Sequence, residues 1–371
     1  MALWGVGIMV GPILGPVIGG YLTESFNWRW VFFINLPFGI IALIGGVAAL
    51  PKSVSDVRRF DLLGYTLLAL GVAALQLALD RGQQLDWFDS WEVRIEAGIS
   101  LAALWAFGVH VATKPGTILD RRILADRNMV TGMMFITLIG VLMISTTALL
   151  PPMLERLFGY PATTTGMVMA PRGIGIMASM MFVGRIGNRF DGRVLMGIGL
   201  ILASWSLYQM SLFSPQMDYR PVITTGLVQG VGMGLVFVPL NALAFATLAP
   251  ELRTDAASFF QLLRNLGGAV GVSLSVGILA HQTQVSHADI GSALTPYSTP
   301  WADGSMASVV GGSGESVTAM IDGAVNAQAA MVAYVDVYRM LAWVVIAMLP
   351  LVLILRRPTP GAAPAPEMMM E

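Results

Sequence analysis

Residues 11–20 read GPILGPVIGG and lie inside the apolar run Ala2–Leu22. Three glycines of this stretch recur every four residues and therefore share one face of a helix. A glycine face lets a second helix approach closely in lipid, and the two prolines remove backbone donors and bend the helix. The stretch predicts a bent spanning helix with a tightly packed face, and ordinary packing is its simplest interpretation. The residues singled out are Gly11, Pro12, Gly15, Pro16, Gly19 and Gly20.

The composition of the whole chain indicates a membrane protein. Of its 371 residues, 56% are hydrophobic and 12% are charged, whereas a soluble domain carries roughly 25% charged residues. The mean hydropathy is +0.72, and a soluble fold of this length could not bury so much apolar surface. The net charge of −1 gives no electrostatic basis for binding nucleic acid, and the absence of cysteine excludes disulfides and thiolate metal sites.

Long apolar runs recur along the chain, each near the roughly 20 residues that a spanning helix needs. The runs are continuous rather than alternating, which argues against the strands of a membrane barrel. We therefore predict an all-α, polytopic membrane protein with about ten transmembrane helices. The predicted spans are Ala2–Leu22, Trp30–Leu50, Leu62–Leu79, Ile95–Ala112, Val130–Leu150, Gly166–Val183, Val194–Phe213, Pro221–Leu248, Ser258–Ala280 and Val335–Leu355.

The distribution of Lys and Arg predicts the orientation, because cytoplasmic loops carry an excess of these residues. Most of the 21 basic residues lie in alternate connecting segments, such as the one that holds Arg121 and Arg127. Those segments are predicted to be cytoplasmic. The protein is therefore expected in the cytoplasmic (inner) membrane, with both termini in the cytoplasm. A long external segment is expected at 281–334, in which the residues around Ser316–Ala333 can form an interfacial helix, and a disordered cytoplasmic tail is expected at 358–371.

A second patterned stretch is the short basic connection GRIGNRFDGR at 184–193. Arginines in a short turn between two helices can pair with acids or with helix C-termini and so hold a gate closed. The alternative is that they only enforce the topology. The residues of this connection that we single out are Gly184, Arg185, Asn188, Arg189, Asp191 and Arg193.

A third patterned stretch combines GVGMG at 230–234 with SFFQLLRNLGG at 258–268. Together with the first two stretches and with WRWVFFINLPFG at 28–39, it resembles the major facilitator superfamily. Within that family the chain is similar to the fourteen-helix drug:proton antiporter branch, the EmrB-like multidrug exporters. The similarity covers most of residues 1–280 in the order that the family shows.

The resemblance implies roles for the first two stretches. The stretch at 11–20 corresponds to the antiporter motif on the family's fifth helix, which packs against the opposite half of the transporter and limits leak. The connection at 184–193 corresponds to the second copy of the family's cytoplasmic gating loop. Asn188 stands where the family pattern has Asp, and Asp191 stands where it has Gly. A charge relay through Asn188 is therefore not expected, although Asn can cap a helix.

The resemblance also implies a division of the chain. Residues 1–50 are expected to form the last two helices of the N-terminal bundle, 51–128 a central extra helix pair with its loops, and 129–357 the C-terminal six-helix bundle. The family's first four helices, which carry its membrane acid for proton coupling, are expected to be missing. The chain as written would then be a fragment or a degenerate copy, because alternating access needs two halves.

Polar side chains inside the predicted spans are candidates for a substrate pathway, because such groups are costly in lipid and face a cavity or a partner. Arg172 is the strongest candidate, and a snorkelled or paired structural role is its alternative. The milder candidates can instead form hydrogen bonds between helices. The candidates are Arg172, Gln229, Asn241, Gln261, Arg264 and Asn265.

No catalytic constellation, phosphate-binding loop or metal-ligand spacing occurs in the sequence, so we expect no enzyme activity, no cofactor and no metal. The resemblance implies a secondary active transporter that exports amphipathic small molecules or drugs by proton antiport. Its expected partners are the lipid bilayer, a small-molecule substrate, protons and a periplasmic adaptor protein, with no nucleic acid. Two alternatives stay open: a truncated, non-transporting fragment or half-transporter, and an exporter of one specific metabolite.

Overall fold

The computed structural model describes residue 15 and residues 17–49, 60–186, 189–293 and 314–355. Within these ranges the regular elements are helices, and no strand occurs. Helix α1 covers 17–25 and is followed by α2 (Trp30–Phe33) and α3 (Asn35–Ala49). The other helices are α4 (Leu62–Gly82), α5 (Trp91–Thr113), α6 (Arg121–Ala125), α7 (Arg127–Leu157), α8 (Ala162–Ile186), α9 (Gly192–Met210), α10 (Arg220–Phe245), α11 (Arg253–Ala293) and α12 (Gly314–Val352).

Eight helices in the described part of the chain are long and apolar enough to cross a membrane. They coincide with eight of the ten predicted spans, and they confirm an all-α, polytopic membrane protein. The predicted span Val194–Phe213 corresponds to α9, which is helical but carries Arg193 and Gln209 near its ends and is not one of the eight. The predicted span Ala2–Leu22 lies largely outside the described residues.

Short polar side chains decide where several helices begin. In each case the side chain of the residue before the helix accepts a hydrogen bond from a backbone N–H of the first turn, a group that the helix itself leaves unpaired. These capping residues are Asp61 before α4, Ser90 before α5, Asp120 before α6, Asp126 before α7 and Asp191 before α9.

Helices α7–α12 pack into one bundle, and glycines form its closest contacts. Helix α7 packs on α11, α8 and α9 pack on α10, and α12 packs on α9 and α11. A Cβ atom on Gly199 of α9 would lie 2.5 Å from the carbonyl oxygen of Gly232 of α10, which is inside van der Waals contact. A Cβ atom on Gly271 of α11 would lie 2.6 Å from the Cα atom of Val141 of α7. The glycines therefore allow these helices to touch at their backbones.

Helices α4 and α5 form a hairpin that packs on the outside of α11. The Ser273 hydroxyl of α11 donates a hydrogen bond to the Leu79 carbonyl oxygen of α4 at 2.8 Å. Phe107 of α5 stacks on Phe259 of α11 with ring centroids 6.5 Å apart. Large apolar side chains on the other side of the hairpin remain exposed, including Trp105 at 75%, and lipid would cover this surface. The division into an N-terminal part, an extra helix pair and a C-terminal bundle stays a prediction.

The segment 281–334, expected to be a long loop with a helix around Ser316–Ala333, is helical at both of its ends. Helix α11 continues without a break to Ala293, and α12 begins at Gly314, so helix occupies most of the interval. His287 Nε2 lies 3.1 Å from Asp322 Oδ1, and this pair joins the two helical extensions. Apolar runs mark only the part of a helix that lies in lipid, and polar side-chain pairing stabilises the remainder. The tail at 358–371 lies outside the described residues.

Candidate functional site

Three of the predicted pathway residues are exposed amides on helices that span the membrane. Asn241 lies on α10, and Gln261 and Asn265 lie one turn apart on α11. Gln261 Nε2 donates to Asn265 Oδ1 at 3.5 Å, and Asn241 Nδ2 donates to the Phe237 carbonyl oxygen of its own helix at 2.8 Å. These amides therefore form no hydrogen bond to another helix among the described residues. Exposed amides are costly against lipid, so they are suited to facing water or another protein surface.

Arg172 lies ten residues after the start of α8, roughly 15 Å along the helix axis, and is only 8% exposed. Its guanidinium donates to the Thr147 Oγ1 atom at 3.1 Å, to the Thr146 Oγ1 atom at 2.9 Å and to the Met143 carbonyl oxygen at 3.4 Å. The three acceptors are neutral groups on one turn of α7. The side chain is thus turned into the bundle and held between α7 and α8, and it does not snorkel to the outer surface.

Gln229 of α10 is fully buried, unlike the exposed amides. Neither its Oε1 nor its Nε2 atom has a hydrogen-bond partner among the described residues. The glycine that follows it, Gly230, packs against the backbone of Arg172, and a Cβ atom at Gly230 would lie 3.0 Å from the Ile176 amide nitrogen. Gln229 and Arg172 therefore lie on neighbouring helices that touch, although no hydrogen bond joins the two side chains.

Arg264 contributes its backbone to the packing of the bundle. A Cβ atom on Gly140 of α7 would lie 3.0 Å from the carbonyl carbon of Arg264 and 3.1 Å from the amide nitrogen of Gly268. The Arg-Asn-Leu-Gly-Gly stretch is thus part of the close contact between α7 and α11. Arg264 itself is half-buried, and its neighbour Asn265 is exposed.

The end of the glycine-rich stretch at 11–20 contacts the beginning of α8. A Cβ atom on Gly20 would lie 2.9 Å from the carbonyl carbon of Ala162. One turn later, Glu24 Oε2 accepts hydrogen bonds from the Thr163 hydroxyl and from the Thr163 amide, the latter at 3.1 Å. The hydrogen bond from the Thr163 hydroxyl is the main cause that lowers the pKa of Glu24. The carboxylate therefore stays charged beside the N-terminus of α8, where the helix dipole favours it.

The other residues singled out in the stretch at 11–20 take no part in this contact or lie outside the described residues. A Cβ atom on Gly15 or Gly19 would meet open space. Gly11, Pro12 and Pro16 are outside the described part of the chain. Close packing of the stretch is therefore seen at its last glycine.

The basic connection between α8 and α9 is built around a helix cap. The Asp191 side chain accepts a hydrogen bond from the Arg193 backbone N–H at 3.1 Å and so starts α9. This role accounts for an acid at a position where the family pattern has glycine. Arg185 and Arg189 are exposed, and a Cβ atom on Gly184 would meet open space. Asn188 lies outside the described residues.

Arg193 differs from the other two arginines of this connection. It is half-buried at the start of α9, and its Nε atom is buried with no hydrogen-bond partner among the described residues. The preceding residue, Gly192, packs against α10, where a Cβ atom would lie 3.2 Å from the Pro239 Cβ atom. The C-terminal end of the connection between α8 and α9 is therefore packed against α10.

The sequence did not indicate a polar pair that joins α4 and α5. His110 Nε2 lies 3.0 Å from both carboxylate oxygens of Asp61, and the Ile118 amide donates to the same carboxylate at 3.4 Å. The pKa of Asp61 is lowered, and the largest cause is the hydrogen bond from the Gly64 amide. The hydrogen bonds from His110 and Ile118 also lower it, whereas burial opposes the shift. The two partners are 49 residues apart, so no local pattern could have revealed the pair.

Thr146, Thr147 and Tyr338 are further polar residues that the sequence did not single out. The two threonines bind Arg172 from α7. Tyr338 of α12 is 1% exposed, and its hydroxyl has no hydrogen-bond partner among the described residues. No group of three or more His, Asp or Glu side chains in the described part of the chain is placed to hold a metal ion.

The chain is similar to a protein named for multidrug export and to two proteins named for resistance. The family model described as Major Facilitator Superfamily matches residues 1–272. The chain is 31% identical over 300 residues to Multidrug export protein EmrB of Escherichia coli (strain K12) and 34% identical over 301 residues to Fatty acid resistance protein FarB of Neisseria gonorrhoeae. It is 30% identical over 295 residues to the Multidrug resistance protein B homolog of Mycobacterium tuberculosis (strain ATCC 25618 / H37Rv).

These alignments cover most of this chain and a smaller share of the relatives. They include 80% of the chain for the first two proteins and 78% for the third. They include 59%, 59% and 54% of the respective relatives. The chain therefore spans little more than half the length of the relatives that it matches.

Proposed function

The chain belongs to the Major Facilitator Superfamily, and we propose that it acts as a secondary active exporter of amphipathic small molecules or drugs, driven by proton antiport. Family membership makes it a multi-pass membrane transporter rather than an enzyme. We place it in the cytoplasmic (inner) membrane with both termini in the cytoplasm, as the distribution of basic residues favours.

The observation that carries the proposal is the set of exposed amides on spanning helices. Asn241, Gln261 and Asn265 lie open on α10 and α11 rather than between the helices of the bundle. A bundle surrounded only by lipid would not stabilise such groups there. A transporter whose second half faces this bundle across a central cavity would use them to line the substrate pathway.

The names of the relatives support export as the direction of transport. The relatives are named for multidrug export, for multidrug resistance and for fatty acid resistance. Because the chain spans 59% of the length of EmrB, we propose the activity for the chain together with the remaining part of such a transporter, in the same chain or in a partner. A periplasmic adaptor protein is a further proposed partner.

The two ends of the bundle offer contacts suited to gates. On the cytoplasmic side, we assign the gating role to the exposed arginines Arg185 and Arg189, beside the cap at Asp191. On the external side, Gly20 and Glu24 contact the start of α8. Alternating access would open one of these contacts while the other is closed, so that the exposed amides meet one side of the membrane at a time.

A resistance assay in a host that lacks its own drug pumps tests the proposal. Cells would express either the 371-residue chain or a version extended by the coding sequence that adjoins it, and growth would be measured with a panel of lipophilic compounds. We expect the extended version to raise the inhibitory concentrations and an uncoupler to abolish the effect. Immunodetection in membranes controls for expression.

The possible outcomes separate the candidate functions. Resistance from the extended version alone would support the exporter and identify the given chain as a non-transporting part of it. Resistance that survives the uncoupler would contradict proton antiport. Resistance to a single chemical class would favour an exporter of specific metabolites, a candidate supported by the similarity to a protein named for fatty acid resistance. No resistance from either version, despite expression, would refute the proposal.

A further inference from the structure

A cavity lies between α9 and α10, at the end where residues 211–219 connect the two helices. Its volume is about 570 Å³, and its lining includes Trp205, Arg220 and Val228. Asn241, the exposed amide of α10, is 13 residues beyond Val228, roughly 20 Å along the helix axis. The cavity is therefore separate from the amides proposed to line the substrate pathway.

One face of α9 beside the cavity is suited to contact with lipid. Ile198, Ile201, Trp205 and Tyr208 recur at helical spacing, and their side chains are 46–57% exposed. Tryptophan and tyrosine prefer the boundary between the hydrocarbon core and the headgroups of a membrane. Trp205 belongs both to this face and to the lining of the cavity, so the cavity borders the surface that lipid would cover.

The lining of the cavity changes from charged to apolar along α10. Asp218 and Arg220 lie where the helix begins, whereas Val228 lies eight residues further, roughly 12 Å along the helix axis. From α9, Trp205 adds a large apolar ring to the lining. A phospholipid has the same order of groups, because a charged head is joined to apolar chains. A small soluble ion would leave the apolar part of the cavity unused.

The two charges at the mouth of the cavity form only a loose ion pair. Arg220 Nε lies 3.6 Å from Asp218 Oδ2, and the two side chains are 79% and 56% exposed. Asp218 Oδ1 accepts a hydrogen bond from the Arg220 amide at 3.2 Å, which holds the carboxylate at the start of α10. So exposed an ion pair contributes little to stability, and each partner can exchange it for a charge on a ligand.

The opposite signs of these charges select the headgroup. The planar fork of N–H donors on Arg220 matches the oxygens of a phosphate. The carboxylate of Asp218 accepts hydrogen bonds, which a primary ammonium group donates and a quaternary ammonium group does not. A headgroup with negative charge alone would be repelled by Asp218. A phosphate next to a primary ammonium group therefore fits both side chains.

We propose that this cavity binds phosphatidylethanolamine, with the phosphate at Arg220, the ammonium group at Asp218 and an acyl chain between Trp205 and Val228. The physical basis is the cavity, its border with the lipid-facing side of α9 and the pair of opposite charges at its mouth. The inference does not depend on which compound the protein transports or in which direction.

Native mass spectrometry of the detergent-solubilised 371-residue chain tests the inference. The delipidated protein would be titrated with phosphatidylethanolamine, phosphatidylcholine and phosphatidylglycerol that carry identical acyl chains. We expect phosphatidylethanolamine to bind about threefold or more tightly than either of the other two lipids. Soluble O-phosphoethanolamine, which has the headgroup without the chains, should not compete at the concentrations at which the lipid binds.

Variants at the mouth assign the binding to this cavity. Arg220→Gln should weaken the binding of phosphatidylethanolamine about threefold or more. Asp218→Asn should remove the preference for phosphatidylethanolamine over phosphatidylglycerol, because the repulsion of the anionic headgroup is lost. Thr224→Trp adds bulk at an exposed lining residue without changing a charge, and it should weaken the binding of all three lipids.

Arg122→Gln is the matched control. Arg122 also follows an acid by two residues, and its amide likewise donates to that acid, Asp120, but neither residue lines the cavity. This variant should bind phosphatidylethanolamine as the unaltered chain does. Monodisperse elution in size-exclusion chromatography controls for folding of every variant.

Several outcomes would overturn the inference. Equal affinity of Arg220→Gln and Arg122→Gln for phosphatidylethanolamine would contradict the site, as would unchanged binding by Thr224→Trp. Equal binding of the three lipids by the unaltered chain would contradict recognition of the headgroup. Competition by O-phosphoethanolamine as strong as that by the lipid would show that the cavity binds a soluble phosphate ester instead.

Discussion

Gly175 of α8 meets the backbone of α10 and offers the sharpest test of the bundle. A Cβ atom at this position would lie 2.5 Å from the Leu227 carbonyl oxygen and 3.0 Å from the Val231 amide nitrogen. Both are backbone atoms and cannot rotate away. Because ordinary contact begins near 3.4 Å, Gly175→Ala would have to separate the helices by about 0.9 Å. The shift would also displace Arg172, which lies one turn earlier on α8.

The expected energy follows from two opposing effects. Overpacking costs about 1–3 kcal/mol, whereas alanine is favoured over glycine inside a helix by about 1 kcal/mol. Gly197→Ala on α9 is the matched control, because a Cβ atom there would meet open space. We therefore expect the control to be up to about 1 kcal/mol more stable than the unaltered chain. Gly175→Ala should be about 1–3 kcal/mol less stable than the control.

Unfolding of both variants in mixed micelles measures the difference. The purified proteins would be titrated from a mild detergent into sodium dodecyl sulfate, and the loss of helicity would be followed by circular dichroism. Equal unfolding midpoints for Gly175→Ala and Gly197→Ala would refute the close contact between α8 and α10. The position assigned to Arg172 would then lose its support as well.

Two further predictions concern polar contacts outside the spanning segments. Asp61→Ala removes a helix cap and the partner of His110, so we expect a loss of about 1–2 kcal/mol at pH 7. Because the folded protein lowers the pKa of Asp61, this stabilisation is present above 3.8, its ordinary value, and is lost as the pH falls below it. Thermal unfolding should show a smaller difference in stability between Asp61→Ala and the unaltered chain at pH 3 than at pH 7. An equal difference at the two pH values would contradict the contacts assigned to Asp61. For the contact between Glu24 and Thr163, cysteines placed at positions 24 and 163 of this cysteine-free chain should be joined quickly by a short thiol-specific cross-linker. A pair at positions 23 and 163, on another face of α1, is the control, and equal rates would refute the contact between Glu24 and Thr163.

The glycines of the sequence motifs indicated the general function, but they did not indicate which helices pack against each other. The glycine-rich stretch at 230–234 is close to α8 and α9 at once, because Gly230 meets Arg172 and Gly232 meets Gly199. Sequence spacing predicted tight packing but gave no means to choose the helix on the other side. The choice depends on the rotation and depth of each helix, which every packing contact in the bundle influences together.

The candidate site shows the same division between local and non-local information. The sequence predicted a pathway role for Arg172, but its acceptors lie 25, 26 and 29 residues earlier on α7. Gln229 and Asn241 were equivalent in the sequence, whereas the structure buries the first and exposes the second. Asn241 is 12 positions further along the same helix, so only the helices packed around α10 could distinguish them.

By itself, the sequence determined that the chain is a helical membrane protein and where most of its spans lie. The requirement that lipid imposes is local, since about 20 consecutive apolar residues must satisfy their own backbone hydrogen bonds. Only the tertiary structure decided that α11 continues to Ala293, that Glu24 contacts Thr163 across 139 residues, and that Arg172 lies between α7 and α8. These features depend on contacts between distant segments of the chain. The free energy of inserting a helix into lipid does not determine which segments make those contacts.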